Sequence, residues 1–390
     1  MKKPISFRRP VFAIILTTAV SISTIAGQEK SLADMFRTGK VRFIPELTIT
    51  DKAMAGKDFF TQLSDLALDD QGCLYITDAK ANNIKKFDAA GSYLGTIGKE
   101  GQGPGDFNYP AEIEFSRDRL YVRELMNPRI SILDPGGHFI KSVPISFLEG
   151  QWQEMRALPD GRLVVQKEKS DIRDLNAPHE IFLDLYSSEL DFIKTLYRHP
   201  IRRNKYITEP RRINVPIPFA PNVHWETTLE GKVIVGYSEK YELEIHDPDK
   251  GKIASFSHAY APLEITDKDK EVYFQGMTVT FQGPGGGVQR QRGAPDYIVK
   301  NTDFPKHKPP FVNVKIDAEG NIWIQLYGLM ISPEGPSMDV FDREGRALGK
   351  VRIERGGFFP YRMARLPKGF WTTRVDNDGE WCVVKYRISE

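Results

Sequence analysis

Two stretches of the sequence concentrate cationic side chains that could bind an anion. Positions 198–212 contain five arginines and one lysine against one acidic residue, and positions 290–308 contain two arginines and three lysines against two aspartates. Arginine presents a planar fork of donors that matches carboxylate and phosphate oxygens. The two stretches could clamp an acidic glycan or a carboxylated metabolite, while the alternative is a solvated surface balanced by acidic neighbours. The candidate ligand-binding residues are Arg202, Arg203, Arg211, Arg212, Arg290 and Arg292.

A second set of polar residues could bind a metal ion. The candidates lie in four separate strand-like segments and are Glu112, Glu154, His224 and Asn313. Calcium prefers roughly six to eight oxygen ligands, more than this set supplies. Equivalent segments also carry Arg156 and Arg362, which would oppose a cation or pair with the carboxylates. A calcium site and a charge-balanced, hydrated channel without any cofactor are therefore both open.

Motifs of familiar catalytic sites are absent from the sequence. There is no Gly-x-Ser-x-Gly elbow, no His-Glu-x-x-His pair and no paired-cysteine metal motif. The glycine-rich run at 98–105 precedes a predicted strand, so it is interpreted as a connection and not as a phosphate-binding loop at a helix start. This pattern favours binding over catalysis.

A repeating unit of short strands must position these residues, and positions 66–110 are its clearest copy. Alternating apolar residues and Asp/Gly turns predict four antiparallel strands joined by short turns. Six copies align by the turn between the first and second strands, at 69–72, 116–118, 158–161, 229–231, 317–320 and 366–369. One such sheet cannot bury both of its faces, so the copies must stack. The sequence therefore predicts an all-β, six-bladed β-propeller of four-stranded antiparallel blades.

The last copy contains only three predicted strands before the chain ends. Positions 41–49 have the composition of a strand and could supply the fourth, so that both ends of the domain meet in one blade and close the ring. The alternative is an unpaired N-terminal arm, which would leave an exposed sheet edge.

Strand direction predicts two unequal faces. Connections between blades emerge on the same face as the loops between second and third strands, and this face receives every long segment. These segments are 98–108, 168–180, 198–221, 259–310 and 327–337. Long loops in a compact domain are more often functional than idle, so we expect the ligand on this long-loop face.

The first copy resembles an NHL repeat. It has the pattern G-x-L-Y-x-x-D, N-x-I-x-x-F-D and G-x-G-P-G-x-F-x-x-P, the last beginning at Gly101 and ending at Pro110. The third copy departs from this pattern, with Ser187-Ser188 where others have Asp-x-x-Gly. The whole chain is similar to secreted bacterial six-bladed β-propeller proteins, and its likeness to lactonase-like propellers implies a calcium ion in the channel.

The N-terminus predicts export. Four basic residues precede the apolar run 11–20, and small residues follow at 24–26, so residues 1–26 are predicted to be a signal peptide and 27–390 a single propeller domain. No cysteine follows that would carry a lipid anchor, and no later segment is long enough to span a membrane. Removing four positive charges from the net +2 leaves about −2, which gives no reason to expect nucleic acid as a partner. The prediction is a periplasmic or extracellular monomer.

The two cysteines fall in copies that a closed ring makes neighbours. Cys73 lies in the first copy and Cys382 in the last. An oxidising compartment would permit a disulfide between them, and two separate thiols are the alternative.

The leading functional hypothesis is an exported, non-enzymatic binding propeller. It would use the long-loop face to engage a glycan, peptide or protein. The rival hypothesis is a calcium-dependent hydrolase or lyase with its metal in the central channel.

Overall fold

The fold is taken from a computed structural model that describes residues 31–171, 173–207, 209, 213–282, 288–327, 336–353 and 362–389. The predicted signal peptide, residues 1–26, lies outside these ranges, as do Arg211 and Arg212. Within the described residues, no helix is long and apolar enough to cross a membrane.

The described part of the chain contains six four-stranded antiparallel units. Its first elements are helix α1 (Leu32–Arg37), strand β1 (Lys40–Ile49) and a 3-10 turn (Asp51–Met54). Blade one consists of β2 (Leu63–Leu68), β3 (Leu74–Asp78), β4 (Asn83–Phe87) and β5 (Tyr93–Ile97). Blade two consists of β6 (Pro110–Ser116), β7 (Arg119–Glu124), β8 (Arg129–Leu133) and β9 (Phe139–Pro144). After a 3-10 turn (Phe147–Glu149), blade three consists of β10 (Gln151–Ala157), β11 (Leu163–Lys169), β12 (His179–Tyr186) and β13 (Phe192–Ile201).

The second half of the chain adds three blades and two insertions. The first insertion contains the hairpin β14 (Asn204–Ile207) and β15 (Ile213–Pro216). Blade four consists of β16 (Val223–Thr227), β17 (Val233–Tyr237), β18 (Glu242–Asp247) and β19 (Gly251–Ser257). The second insertion contains α2 (Asp267–Gly276), β20 (Thr278–Gln282), β21 (Val288–Arg292) and α3 (Asp296–Asn301). Blade five consists of β22 (Phe311–Ile316), β23 (Ile322–Leu326), β24 (Ser337–Phe341) and β25 (Ala347–Ile353), and blade six of β26 (Ala364–Leu366), β27 (Gly369–Val375), β28 (Trp381–Ser389) and β1.

The tight turns show why Asp and Gly recur at fixed positions. Asp69 accepts hydrogen bonds from the backbone N–H groups of Gln71 and Cys73, at 2.9 and 2.8 Å, and Gly72 adopts a φ of +79°. In blade three the hydroxyl of Ser187 accepts the equivalent backbone donors, and Leu190 takes the left-handed conformation. A serine can replace aspartate as the local acceptor, so the departure from the repeat pattern leaves the turn intact.

The N-terminal strand closes the ring, as the sequence predicted. Strand β1 pairs antiparallel with β28 from Arg42 opposite Ser389 to Ile49 opposite Val383. At its beginning β1 also pairs in parallel with the end of β25, which joins blades five and six into one eight-stranded sheet. The outer edge of β28 is therefore covered.

A hydrophobic cluster fills each interface between neighbouring blades. In ring order the six clusters contain Tyr75 with Leu120, Tyr121 with Val165, Val164 with Val235, Ile245 with Ile324, Val340 with Val384, and Ile76 with Val383. The last cluster joins blade six to blade one. Burial of these faces drives the stacking that one blade alone could not achieve.

The two cysteines lie in different interfaces and are both free. Cys73 packs against the cluster between blades one and two, whereas Cys382 belongs to the cluster between blades five and six. Burial raises the pKa of both thiols. Of the two alternatives left open by the sequence, the structure has the separate thiols.

The described residues of the two insertions pack together into one folded unit, which we call the cap (residues 202–207, 209, 213–222, 258–282 and 288–310). Ile207 and Val215 of the first insertion share a buried cluster with Val279 and Ile298 of the second. The predicted start of the first insertion at 198 was wrong, because β13 continues to Ile201 opposite His179. The predicted loop at 168–180 is likewise shorter, since β11 and β12 extend into it.

Candidate functional site

The inner strands place two rings of side chains along the channel. In blades one to five, equivalent residues of the first strands pair with equivalent residues of the second strands; these are Leu66, Ile113, Met155, Trp225 and Val314. Because side chains alternate along a β-strand with a period of two, the residues on either side of each position point to the other face of the sheet. The residues before these positions form the upper ring, nearer the long-loop face: Asp65, Glu112, Glu154, His224, Asn313 and, by the pairing of β26, Arg362. The residues after them form the lower ring: Ala67, Glu114, Arg156, Glu226, Lys315 and Ala364.

All four predicted metal ligands lie in the upper ring, where arginine side chains form ion pairs with the carboxylates of Glu112 and Glu154. Glu112 is 1% exposed and receives hydrogen bonds from Arg123 at 2.7 Å and Arg362 at 2.5 Å. The carboxylate of Glu154 lies 3.6 Å from a guanidinium nitrogen of Arg156.

The remaining two predicted ligands do not complete a metal centre. The His224 ring faces Phe311 at 5.6 Å, and burial lowers its pKa to about 4, so it is neutral near pH 7. Among the described residues, no group of three or more His, Cys, Asp or Glu side chains could hold a metal ion. Asn313 adds one neutral oxygen to a ring whose carboxylates already bind guanidinium groups, so the donor set does not fit calcium.

The lower ring is built around Glu226, which three cations share. Arg156 Nε lies 3.0 Å from its carboxylate, Lys315 Nζ lies 3.2 Å away, and Arg365 Nη2 lies 3.7 Å away. Burial raises the pKa of Glu226, but the cations outweigh it and hold the pKa well below its ordinary value. Glu226 is therefore charged at any physiological pH.

Glu114, next to this cluster, behaves in the opposite way. Burial raises its pKa to about 7, although Arg156 lies 3.6 Å from the carboxylate and the backbone N–H of Ala157 donates to it at 3.2 Å. The ring thus contains one carboxylate, Glu226, that is charged throughout the physiological pH range, and one, Glu114, whose pKa lies near neutrality.

This difference predicts a pH-dependent effect of the substitution Glu114→Gln. Because the folded-state pKa of about 7 exceeds the ordinary 4.5, the folded chain holds an extra proton between these values, and stability from this group falls as the pH rises through that window. Relative to the variant, the wild-type protein should lose about 2–3 kcal/mol of its free energy of unfolding between about pH 4.5 and pH 7.5. Urea unfolding of both proteins across this range would measure it, and parallel stability curves would contradict it.

A cavity of about 380 Å³ opens at the lower ring toward the short-turn face. Its walls include Glu114, Arg156, Glu226, Lys315 and Arg365. Sequence reasoning missed most of these residues, although several follow a predicted candidate by two positions on the same strand. The period of two that places Glu112 and His224 in the channel places Glu114 and Glu226 there as well.

The cap presents some of the predicted arginines to solvent and uses another internally. Arg202, Arg290 and Arg292 are exposed. Arg203 forms an ion pair with Glu168 of β11, whose carboxylate also lies 2.6 Å from His179 Nδ1. The two basic stretches therefore meet in one unit, and Arg203 attaches that unit to blade three.

Large apolar side chains are exposed mainly on the long-loop face. Of fifteen such residues in the described chain, eight lie in its connections and one in a short turn. Phe59, Met126, Phe147 and Leu148 are 59, 63, 62 and 89% exposed. The connections of blade two touch each other, since the N–H of Ile145 donates to the carbonyl of Pro128 at 2.7 Å. Exposed apolar side chains mark an interaction surface where they form a contiguous patch.

Comparisons with known proteins agree with this architecture. The model of the family DUF5128, described as a 6-bladed beta-propeller, matches residues 19–147, about a third of the chain. A protein of Bacteroides fragilis described as a "Putative exported protein" has a similar structure, with a TM-score of 0.52 and 11% identity over 90% of this chain and 95% of that one. No curated protein sequence matches the chain.

Two further solved structures are less similar. A member of the DUF4221 family from Bacteroides vulgatus has a TM-score of 0.49 and 10% identity over 90% of this chain and 99% of that one. Virginiamycin B lyase from Staphylococcus aureus has a TM-score of 0.42 and 12% identity over 89% and 99%. These two likenesses carry no inference about activity. Fold and comparisons together define the class of this protein: it is an all-β, six-bladed β-propeller.

Proposed function

We propose that this chain is an exported binding propeller that engages a protein or peptide partner with its long-loop face. The observation that carries the proposal is the unequal distribution of exposed large apolar side chains among the described residues, with eight on the long-loop connections and one in a short turn. Apolar area is the main source of affinity in most protein associations. An isolated glycan would make less use of such a surface, so protein or peptide is the favoured ligand.

The charge on the same face indicates the chemistry of the partner. The exposed guanidinium groups of Arg202, Arg290 and Arg292 stand on the cap. Arginine is enriched at interfaces because it combines an apolar stem with bidentate donors. A partner segment that combines acidic residues with aromatic or aliphatic ones is complementary to both features.

The predicted signal peptide indicates the compartment in which the chain would meet its partner. The basic start, the apolar run 11–20 and the small residues at 24–26 are typical of a signal peptide. The partner would then be met in the periplasm or outside the cell.

Selection of a random peptide library on the purified protein tests the proposed chemistry. Selected peptides should combine acidic with aromatic or aliphatic residues, and the double change Arg290→Glu with Arg292→Glu should weaken their binding about tenfold or more, since charge reversal replaces attraction by repulsion. The matched control is Arg346→Glu, because Arg346 is an exposed arginine in a short turn of blade five.

Two outcomes would contradict the proposal. Selected peptides could be insensitive to the cap variant while responding to the control, or acidic oligosaccharides could bind this face when peptides do not. The second result would move the ligand class to glycans.

A further inference from the structure

The cavity at the lower ring lies at the opposite mouth of the channel from the proposed partner surface. Its volume of about 380 Å³ is at the lower end of the roughly 300–1,000 Å³ of small-molecule sites. All six blades contribute residues to its wall. The class of ligand that it accepts depends on the chemistry of this wall.

The charges of the channel balance. Among the described residues, the cavity wall and the groups paired with it contribute as many carboxylates as cations. The carboxylates are Asp65, Asp70, Glu112, Glu114, Glu154 and Glu226. The cations are Arg117, Arg123, Arg156, Lys315, Arg362 and Arg365.

Ion pairs also connect these groups across blades, so neither side of the channel keeps an excess of charge. Arg156 lies 3.0 Å from Glu226 of blade four and 3.6 Å from Glu114 of blade two. Arg362 of blade six lies 3.8 Å from Asp65 of blade one. A ligand with a net charge would therefore bring an uncompensated charge into a confined space, which is costly.

The paired groups retain capacity for further hydrogen bonds. Arg156 donates from Nε to Glu226 at 3.0 Å and from Nη1 to the carbonyl of Met155 at 2.7 Å, whereas a guanidinium group has five N–H donors. Glu114 accepts from the backbone N–H of Ala157 at 3.2 Å, and a carboxylate can accept about four hydrogen bonds. Charged donors and charged acceptors therefore lie side by side in the wall.

Apolar side chains lie near the opening of the cavity. Leu68, Phe115 and Leu229 belong to its wall. Leu68 ends β2 directly before a short turn, and Leu229, which is 48% exposed, lies in the short turn between β16 and β17. These side chains offer apolar area on which C–H groups of a ligand can pack.

A neutral molecule with several hydroxyl groups meets all of these conditions. It adds no net charge, and each hydroxyl can donate to a carboxylate and accept from a guanidinium or ammonium group. We propose that the cavity binds a neutral polyol of monosaccharide size, with hydroxyl groups at Glu114, Arg156 and Glu226 and carbon atoms toward Leu229. This site is separate from the long-loop face and does not depend on the partner proposed there.

Calorimetric titration at about pH 8, above the pKa of about 7 of Glu114, tests the proposal. At least one of four neutral probes, sorbitol, glucose, galactose and mannose, should bind with a Kd of about 1 mM or lower. Gluconate and glucamine have the carbon chain of sorbitol but carry a carboxylate and an ammonium group. Each should bind at least about tenfold more weakly than the tightest neutral probe, because each brings a net charge.

Two substitutions locate the site. Ala67→Leu adds volume to the cavity wall without changing a charge and should weaken binding of the tightest neutral probe about tenfold or more, because the larger side chain takes up ligand space. Glu114→Gln should weaken it about fivefold, because hydrogen bonds to charged groups are roughly twice as strong as neutral ones.

The matched control is Glu230→Gln, because Glu230 lies in the same short turn as Leu229 but outside the cavity wall. This control and the double cap variant at Arg290 and Arg292 should bind the probe like wild type. The second comparison separates this site from the long-loop face. Circular dichroism of each variant verifies its fold.

Three results would each overturn the proposal. The first is the absence of binding heat with all four neutral probes, which would indicate a channel filled with water alone. The second is an affinity for gluconate or glucamine that equals or exceeds that of the tightest neutral probe. The third is a wild-type affinity in both Ala67→Leu and Glu114→Gln.

Discussion

Replacing Glu226 with glutamine should lower the free energy of unfolding by about 3–5 kcal/mol, the usual cost of removing one member of a buried charge network. The side chain is 6% exposed, and its carboxylate is shared by Arg156, Lys315 and Arg365. Glutamine keeps the shape and removes the charge, so the three cations would stay close together without their common partner. Urea unfolding followed by tryptophan fluorescence measures the loss.

The pH dependence of this loss gives a second check. The pKa of Glu226 lies below its ordinary value in the folded protein, so its contribution is complete above about 4.5 and is lost as the pH falls through that window. The difference between wild type and Glu226→Gln should therefore shrink in acid. The matched control is Glu230→Gln in the same blade, where an exposed carboxylate lies 3.3 Å from Arg343, and it should cost less than about 0.5 kcal/mol. Equal effects of the two substitutions would contradict the network.

Removal of the N-terminal strand should abolish cooperative folding. A chain that begins at residue 50 lacks the buried residues Leu32, Met35, Phe36, Val41 and Ile49 and leaves β28 without its outer partner. At about 1.5–3 kcal/mol for each buried side chain, the loss is on the order of 10 kcal/mol, which equals the whole stability of a typical domain. Thermal melts by circular dichroism should show no sharp transition.

The matched control is a chain that begins at residue 31 and keeps α1 and β1. It should melt cooperatively, and a synthetic peptide of residues 31–50 added to the shorter chain should restore part of the transition. The ring centroids of Phe36 and Trp323 lie 4.8 Å apart, so a change in tryptophan fluorescence would also detect binding of the peptide. A sharp, unchanged melt of the shorter chain would contradict closure of the ring by β1.

The fold could be predicted from the sequence because its determinants are local and repeated. Asp69 and Gly72 specify a turn within four residues, and the alternating strand that follows specifies the next. Six copies then leave one strand missing, and the segment at β1 supplies it. Each of these steps requires only neighbouring residues and a count.

The chemistry of the channel could be predicted only in part. Glu112 was predicted as a channel residue because it is a polar residue of an inner strand, and the period of two along β6 indicates Glu114 as well. Which cation meets which carboxylate depends on distances between blades, such as that from Arg362 to Glu112, 250 positions apart. The calcium hypothesis was drawn from the carboxylates alone, because the sequence does not show that arginine side chains lie beside them.

The cap was the least predictable part. Its two basic stretches were visible in the sequence, but the packing of Ile207 against the cluster that contains Ile298 joins segments about ninety positions apart. Short hairpins and helices of mixed composition carry weak periodicity. The sequence therefore predicted two long loops where the structure has one folded unit.

The most direct test of the proposed function compares two equally simple variants, Leu148→Ser on the long-loop face and Ile140→Ser on the outer strand of the same blade. Both side chains are exposed, at 89% and 47%, so neither change should affect folding. The affinity for a library-selected peptide should fall about tenfold or more in Leu148→Ser, as expected for an apolar contact near the centre of an interface, and stay unchanged in Ile140→Ser. An unchanged affinity in Leu148→Ser together with a loss in Ile140→Ser would contradict binding at the long-loop face.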